Sequence, residues 1–215
     1  MVKMTLPSNI IRMVKNKEID SIHFDGGTLC LDFVNTVHDR KRKPLPDYLL
    51  NIFDLVAWAG KAGLLDRKHE KLLEKAVSAH PKEGTRFFNE AITFRELLYQ
   101  MFYTISKGSP VTTADLVRYN DVAKKQFSDS IIMVSSGAYA KSWDLPPDSL
   151  RWITAPILQD ANDLLLSGKL SRVKECPNCG WLFLDTTKNG KRRWCSMKVC
   201  GSNVKALEWY YRNKG

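Results

Sequence analysis

The chain has 215 residues, 44% of them hydrophobic and 26% charged, a balance that fits a globular protein and excludes a disordered one. No run of about eighteen apolar residues is present to span a bilayer. Met1 to Lys17 carry scattered Lys and Arg without a compact apolar stretch or cleavage site, so a soluble protein of the cytoplasm is expected.

After Gly26-Gly27, the stretch TLCLDFVNTVHDR alternates at Leu29, Leu31 and Phe33, as in a strand. It also repeats at helical spacing through Cys30, Phe33, Val34 and Val37, and the helical reading is preferred. KRKPLPD (Lys41 to Asp47) reads as a charged loop, with Asp47 placed to cap a helix carrying Leu50, Phe53, Val56 and Ala57 toward Gly63. A short helix follows from Asp66 to Ala79. The longest helical pattern runs from Pro81 to Ser106, with Phe87, Ala91, Phe94, Leu98, Met101, Phe102 and Ile105 on one face. Thr112 or Thr113 starts another helix that lasts to about Gln126. Ile131 to Val134 and Ala138 to Trp143 flank Ser135-Ser136-Gly137 as a β-hairpin. Pro146-Pro147-Asp148 then stops the hairpin and caps a last body helix to Leu166, with a kink expected at Pro156 and an end at Gly168.

Beyond Gly168 the texture changes. From Lys169 onward eleven basic residues stand against three acidic ones, a net of +8 out of the chain's formal +10. Four of the five cysteines also lie here, spaced C-x2-C-x15-C-x4-C: Cys176, Cys179, Cys195 and Cys200. Two tight pairs at this spacing are the pattern of a metal site, and four thiolates suit tetrahedral zinc with no position left for water or substrate. One structural zinc ion is therefore expected. A redox pair and an iron–sulfur cluster are the alternatives. Cys30, in its apolar run, reads as a buried core residue. Between the pairs, Asn189-Gly190 separates WLFLDTT from KRRW as a hairpin turn would. Gly201-Ser202-Asn203 then opens a terminal helix whose Val204, Leu207 and Tyr211 could pack on Trp181 and Phe183. The fold class expected is α+β and α-rich, a helical domain with a small antiparallel sheet over residues 1–168 and a treble-clef-like zinc finger over 169–215.

At these residues the chain resembles the CGNR zinc-finger family of bacteria, through Gly180 to Asp185 (GWLFLD), Asn189 to Met197 (NGKRRWCSM) and Cys200 to Asn203 (CGSN). The front is similar to that family's ABATE domain through Gly26 to Thr36 (GGTLCLDFVNT), Asp54 to Leu65 and Phe94 to Tyr99. The resemblance implies a stress-related transcription regulator with the finger as its DNA-binding part. Two departures are visible: Ser202-Asn203 stands where the family has Asn-Arg, and the last helix carries Glu208, Trp209 and Tyr210 where arginines are common.

Three function classes follow. DNA binding is indicated by Lys188, Lys191, Arg192 and Arg193 at one turn, with Lys198 and Lys205 nearby, although a solvated loop has the same look. The second class is a small-molecule-binding or protein-interaction module whose finger is only structural. Its candidate pocket residues are Asp32, Asn35, His38 and Arg40, polar groups set in an apolar segment that also suit internal hydrogen bonds. A homodimer is a further expected assembly. An enzyme is disfavoured, because His23, His38, His69 and His80 sit in no nucleophile, metal or phosphate motif.

Overall fold

A computed structural model describes residues 17–214. The elements in chain order are α1 (Leu29–Val34), α2 (Ile52–Lys61), α3 (Arg67–Ala79), α4 (Pro81–Ser106), α5 (Thr113–Phe127), β1 (Ser130–Ser135), β2 (Ala138–Trp143), α6 (Arg151–Leu166), β3 (Val173–Glu175), β4 (Leu182–Leu184) and α7 (Ser202–Asn213). Helices dominate, and the strands form two separate antiparallel pairs, β1 with β2 and β3 with β4. Among the described residues no helix is long and apolar enough to cross a membrane.

Helix α4 is the spine, 26 residues long and so about 39 Å. It buries Ala91, Phe94, Leu97, Leu98, Met101 and Phe102, the expected face with Leu97 added, while Phe87 and Ile105 are only partly covered. Near its start Gly84 lets α3 approach: a Cβ there would lie 2.9 Å from Val77 Cγ1. The apolar stretch after Gly27 is helical as expected, but α1 is a single short helix whose N-cap, Thr28, makes no side-chain bond to the backbone N–H groups of the first turn. Its first turn is closed from a distance, by Cys30 N–H donating to Asp160 Oδ2 of α6 at 2.7 Å. Cys30 itself is fully buried.

Two expected caps fall elsewhere. Asn51, not Asp47, caps α2: its Oδ1 accepts from the N–H of Phe53 and Asp54, and Asp54 reaches back to the N–H of Asn51, a reciprocal capping box. Asp47 is drawn off by Arg95, whose two Nη atoms meet its two oxygens at 2.9 and 2.6 Å. That fork ties the loop before α2 to the spine. Asp148 does not cap α6 either; Leu150 holds the cap position, and the helix runs through Pro156. In the hairpin, Ser136 (φ 51°) and Gly137 (φ 80°) form the two-residue turn that suits the twist of paired strands.

The second strand pair is the part that positions the cysteines. β4 enters the main core, and Leu182 and Phe183 are wholly buried together with Phe33, Trp58 and Phe102. Its outer edge is satisfied by the α1 segment. Leu184 N–H donates to Gly26 O at 2.8 Å, and the Asn35 side chain both accepts from Leu182 N–H (3.0 Å) and donates to Leu182 O (2.8 Å). Trp181 Nε1 donates to Val37 O at 2.6 Å. Trp181 and Phe183 are therefore covered by the body, and not by the terminal helix as the sequence suggested. α7 has no buried residue; Leu207, Trp209, Tyr210 and Tyr211 are all exposed.

Candidate functional site

Four buried sulfurs meet where the tail leaves the core. The Sγ atoms of Cys176, Cys179, Cys195 and Cys200 all lie within 4.8 Å of one another. Cys195 Sγ is 3.6 Å from the sulfurs of both Cys179 and Cys200. Zinc–sulfur bonds of about 2.3 Å at tetrahedral angles place sulfurs about 3.8 Å apart, so the cluster fits one ion and is too tight to enclose an iron–sulfur cluster. Hydrogen bonds from Cys179 and Cys195 hold the Cys176 thiol well below its ordinary range, and that thiolate in turn pushes both neighbours up. Zinc binds such sulfurs as thiolates and balances the charge that four of them would carry. The cysteines form one structural zinc site, closed to substrate.

The first pair sits on a knuckle between β3 and β4. Gly180 N–H donates to Cys176 O at 2.9 Å, and Cys176 N–H to Trp181 O at 2.7 Å. Gly180 turns with φ +74°, and a Cβ there would press on Arg40 Cβ at 2.8 Å. The body clasps this knuckle: Arg40 N–H donates to Cys179 O at 2.9 Å, Lys41 Nζ to Pro177 O at 2.5 Å, and Tyr99 Oη to Gly180 O at 3.2 Å. The second pair lies on the loop after β4 and on the wide turn Met197–Gly201 that opens α7.

Between the pairs the expected hairpin does not form. Gly190 N–H donates to Thr187 O at 3.1 Å, so Asn189-Gly190 does make a turn, but KRRW forms no strand. The antiparallel partner of β4 is β3, on the other side of the knuckle. Asp185 organises the loop instead. Its Oδ1 accepts from Thr187 N–H (3.0 Å) and Oγ1 (2.6 Å), and its Oδ2 from Lys174 Nζ (2.6 Å) and Arg192 N–H (2.9 Å). Burial alone would raise this carboxyl, but the bonds from Lys174, Thr187 and Arg192 outweigh it and hold the group well below the usual carboxylate range. Lys174 also donates to Gly190 O at 2.5 Å. Sequence reasoning passes over Asp185; the DTT run after an apolar strand is the side-chain-to-backbone turn signal that points to it.

The six basic candidates divide. Lys188, Lys191, Arg193, Lys198 and Lys205 are exposed, and among the described residues none of them pairs with a carboxylate. Arg193 lies over the Trp194 ring, 4.9 Å from its centroid. Lys188, Lys191 and Arg193 surround a cleft of about 550 Å³ floored by Trp194 and Met197. Arg192 points inward: its Nε donates to Trp194 O at 3.0 Å, its Nη2 to Asp25 O at 3.0 Å and to Cys195 O, and its guanidinium covers the Phe183 ring at 4.6 Å. It holds the second cysteine pair's loop against the body and is not a surface cation.

None of the four pocket candidates lines the groove beside α4 or the cleft at Trp194. Asn35 is the edge partner of β4 already described. Arg40 lies over the Tyr99 ring at 3.9 Å, donates to Val34 O at 2.7 Å and pairs with Glu96. Asp32 Oδ1 accepts from Gly26 N–H at 2.8 Å, and exposed His38 packs edge-on to Tyr48. Asn35, Asp32 and Arg40 are thus spent on internal bonds.

Comparison with known proteins fits this geometry. The zinc-bearing part, residues 172–213, matches the family model described as "CGNR zinc finger". Residues 27–168 match the ABATE model, described as "Putative stress-induced transcription regulator". No curated protein matches the chain. The ABATE match spans well over half of the residues and the cysteine cluster falls inside the second match, so the chain belongs to the ABATE family and carries a CGNR zinc finger over residues 172–213.

Proposed function

We propose that this chain is a transcription regulator that binds duplex DNA through the zinc-held loop, with the helical body receiving the signal by a ligand or by assembly. The observation that supports it is the division of the basic residues. Arg192, Lys174 and Asp185 fix the loop from inside, which leaves Lys188, Lys191 and Arg193 presented on a braced turn beside Lys198 and Lys205. Unpaired cations on a fixed scaffold are what phosphate contact requires, and they give the charge-driven part of DNA affinity. Zinc supplies no chemistry here; it keeps the loop and the start of α7 in place.

Titrating fluorescent duplex DNA by anisotropy at several salt concentrations tests this. Binding is expected to weaken steeply from low to physiological salt. The triple variant Lys188→Ala, Lys191→Ala, Arg193→Ala should reduce the log–log slope by about 2 to 3, near 0.9 for each phosphate no longer neutralised. Arg192 is left out because its removal would disturb the fold. A chain with its zinc that shows no binding at low salt would sink the reading, and would favour the alternative in which the finger is purely structural. That alternative draws on the burial of Trp181, Leu182 and Phe183 in the body's core.

A further inference from the structure

Helix α4 has two working faces. At 100° per residue, Arg95, Glu96 and Tyr99 share the side that meets Asp47, Arg40 and the Gly180 knuckle. Phe87, Ala91, Phe94 and Leu97 lie along the adjoining side, and there a groove of about 870 Å³ runs between α4, α5 and the first turn of α6. None of the candidate site residues named from the sequence lines it.

The groove's make-up selects its occupant. Phe87, Ala91, Phe94 and Leu97 of α4 with Val122 of α5 give an apolar floor about 15 Å long, from the helical rise over ten residues. The rim carries four cations, Arg86, Arg118, Lys125 and Arg151, against two acids, Glu90 and Asp121. Two of those cations are loosely held: Arg86 and Arg118 have exposed guanidinium groups that face acids on their own helices at 3.9 and 3.7 Å, contacts worth little. Lys125 has no carboxylate partner among the described residues, whereas Arg151 is engaged by Asp129 and Lys125 O. A polar group also lies in the wall. Gln126 Nε2 donates to Thr154 Oγ1 at 2.9 Å, which leaves the buried Oε1 without a partner. Turning the amide over would let Thr154 donate to Oε1 and leave the NH₂ as the spare group, so in either orientation one end of this amide is left for an occupant.

We infer that this groove binds an amphiphilic organic anion, with an apolar tail of about ten carbons along α4 and a carboxylate head among the rim cations. The volume lies within the range of small-molecule sites, and the charge balance disfavours a cationic amphiphile of the same length. The inference deepens the ligand half of the function proposed above and rests on it. α4 would be the element that feels both the groove and the zinc side.

Calorimetric titration of the full chain with its zinc, without DNA, tests it using decanoate as the probe and decyltrimethylammonium as the opposite charge. Expected is saturable decanoate binding with one site per chain, at least tenfold tighter than the cation. Arg86→Glu with Lys125→Glu, both at exposed positions, should weaken decanoate at least tenfold, and Ile132→Glu, at an exposed hairpin position outside the groove's lining, should leave it unchanged. Absence of saturable decanoate binding, equal affinity for the cation, or indifference to the rim variant would overturn the inference. Because no DNA is present, the outcome is separate from that of the DNA experiment.

Discussion

Asp32 has a carboxyl whose titration the fold moves toward neutrality. Burial pushes it up to about 7, with Asp25 and Asp160 adding to the effect and the Gly26 N–H and Arg192 opposing it. In the unfolded chain the group ionises near the ordinary value of about 4. The native state therefore holds a proton that the unfolded state has released between those two values. The resulting stabilisation is complete below about pH 4 and is lost as pH rises through 7. Asp32→Asn keeps an oxygen for the Gly26 N–H but no longer titrates. Its stability relative to wild type is expected to rise by about 2 to 4 kcal/mol from pH 4 to 8, read from denaturant melts at both ends. A difference that is flat with pH would count against the assignment. Asp185 titrates in the opposite sense, losing its contribution only in acid, so the two effects occupy separate windows.

Asn35 shows why an element can be predicted and its role missed. The helical period of Cys30, Phe33 and Val34 identifies α1, but nothing local tells that the next residue's amide will act as a backbone partner for a strand 147 residues away. Asn35→Ala leaves the buried N–H and C=O of Leu182 unpaired, and should cost about 2 to 4 kcal/mol in denaturant unfolding. Asn35→Asp, which can accept but not donate, should recover only part of this; full stability of the Ala variant would refute the pairing. The same contrast governs the rest of the fold. Local signals locate α4, α5 and the hairpin, because cap, period and turn lie within one segment. Asp47 has the local look of a cap, but its partner, Arg95, is on another helix. KRRW does not become a strand because Asp185 and Arg192 anchor that loop through side-chain bonds to backbone, and the ladder position beside β4 belongs to β3. The metal site is legible because ligand type and spacing are written consecutively. The split between Lys191 and Arg192 is not, since adjacent basic residues look alike until the fold decides which one faces Phe183.

At the scale of the whole molecule, the two family matches meet at an interface with a continuous core. β4 follows the first cysteine pair directly, yet Leu182 and Phe183 pack with Phe33 and Phe102, and Arg192 links the second pair's loop to Asp25 and Phe183. A finger built as an appendage would lose its own structure when zinc is removed and leave the helices untouched. Here the knuckle is hydrogen-bonded to Arg40 and Tyr99, so loosening it withdraws partners from α4 as well. Chelating the zinc, or replacing Cys179 with Ser, is therefore expected to lower the melting temperature of the entire chain, with far-UV helix signal and Trp fluorescence following one transition. The loss should be reversed by zinc after chelation and not in the Cys179→Ser variant. If the helical signal instead melts at the same temperature with and without metal, the finger and the body are energetically separate despite their shared core, and a signal received at α4 would have no structural route to the basic loop.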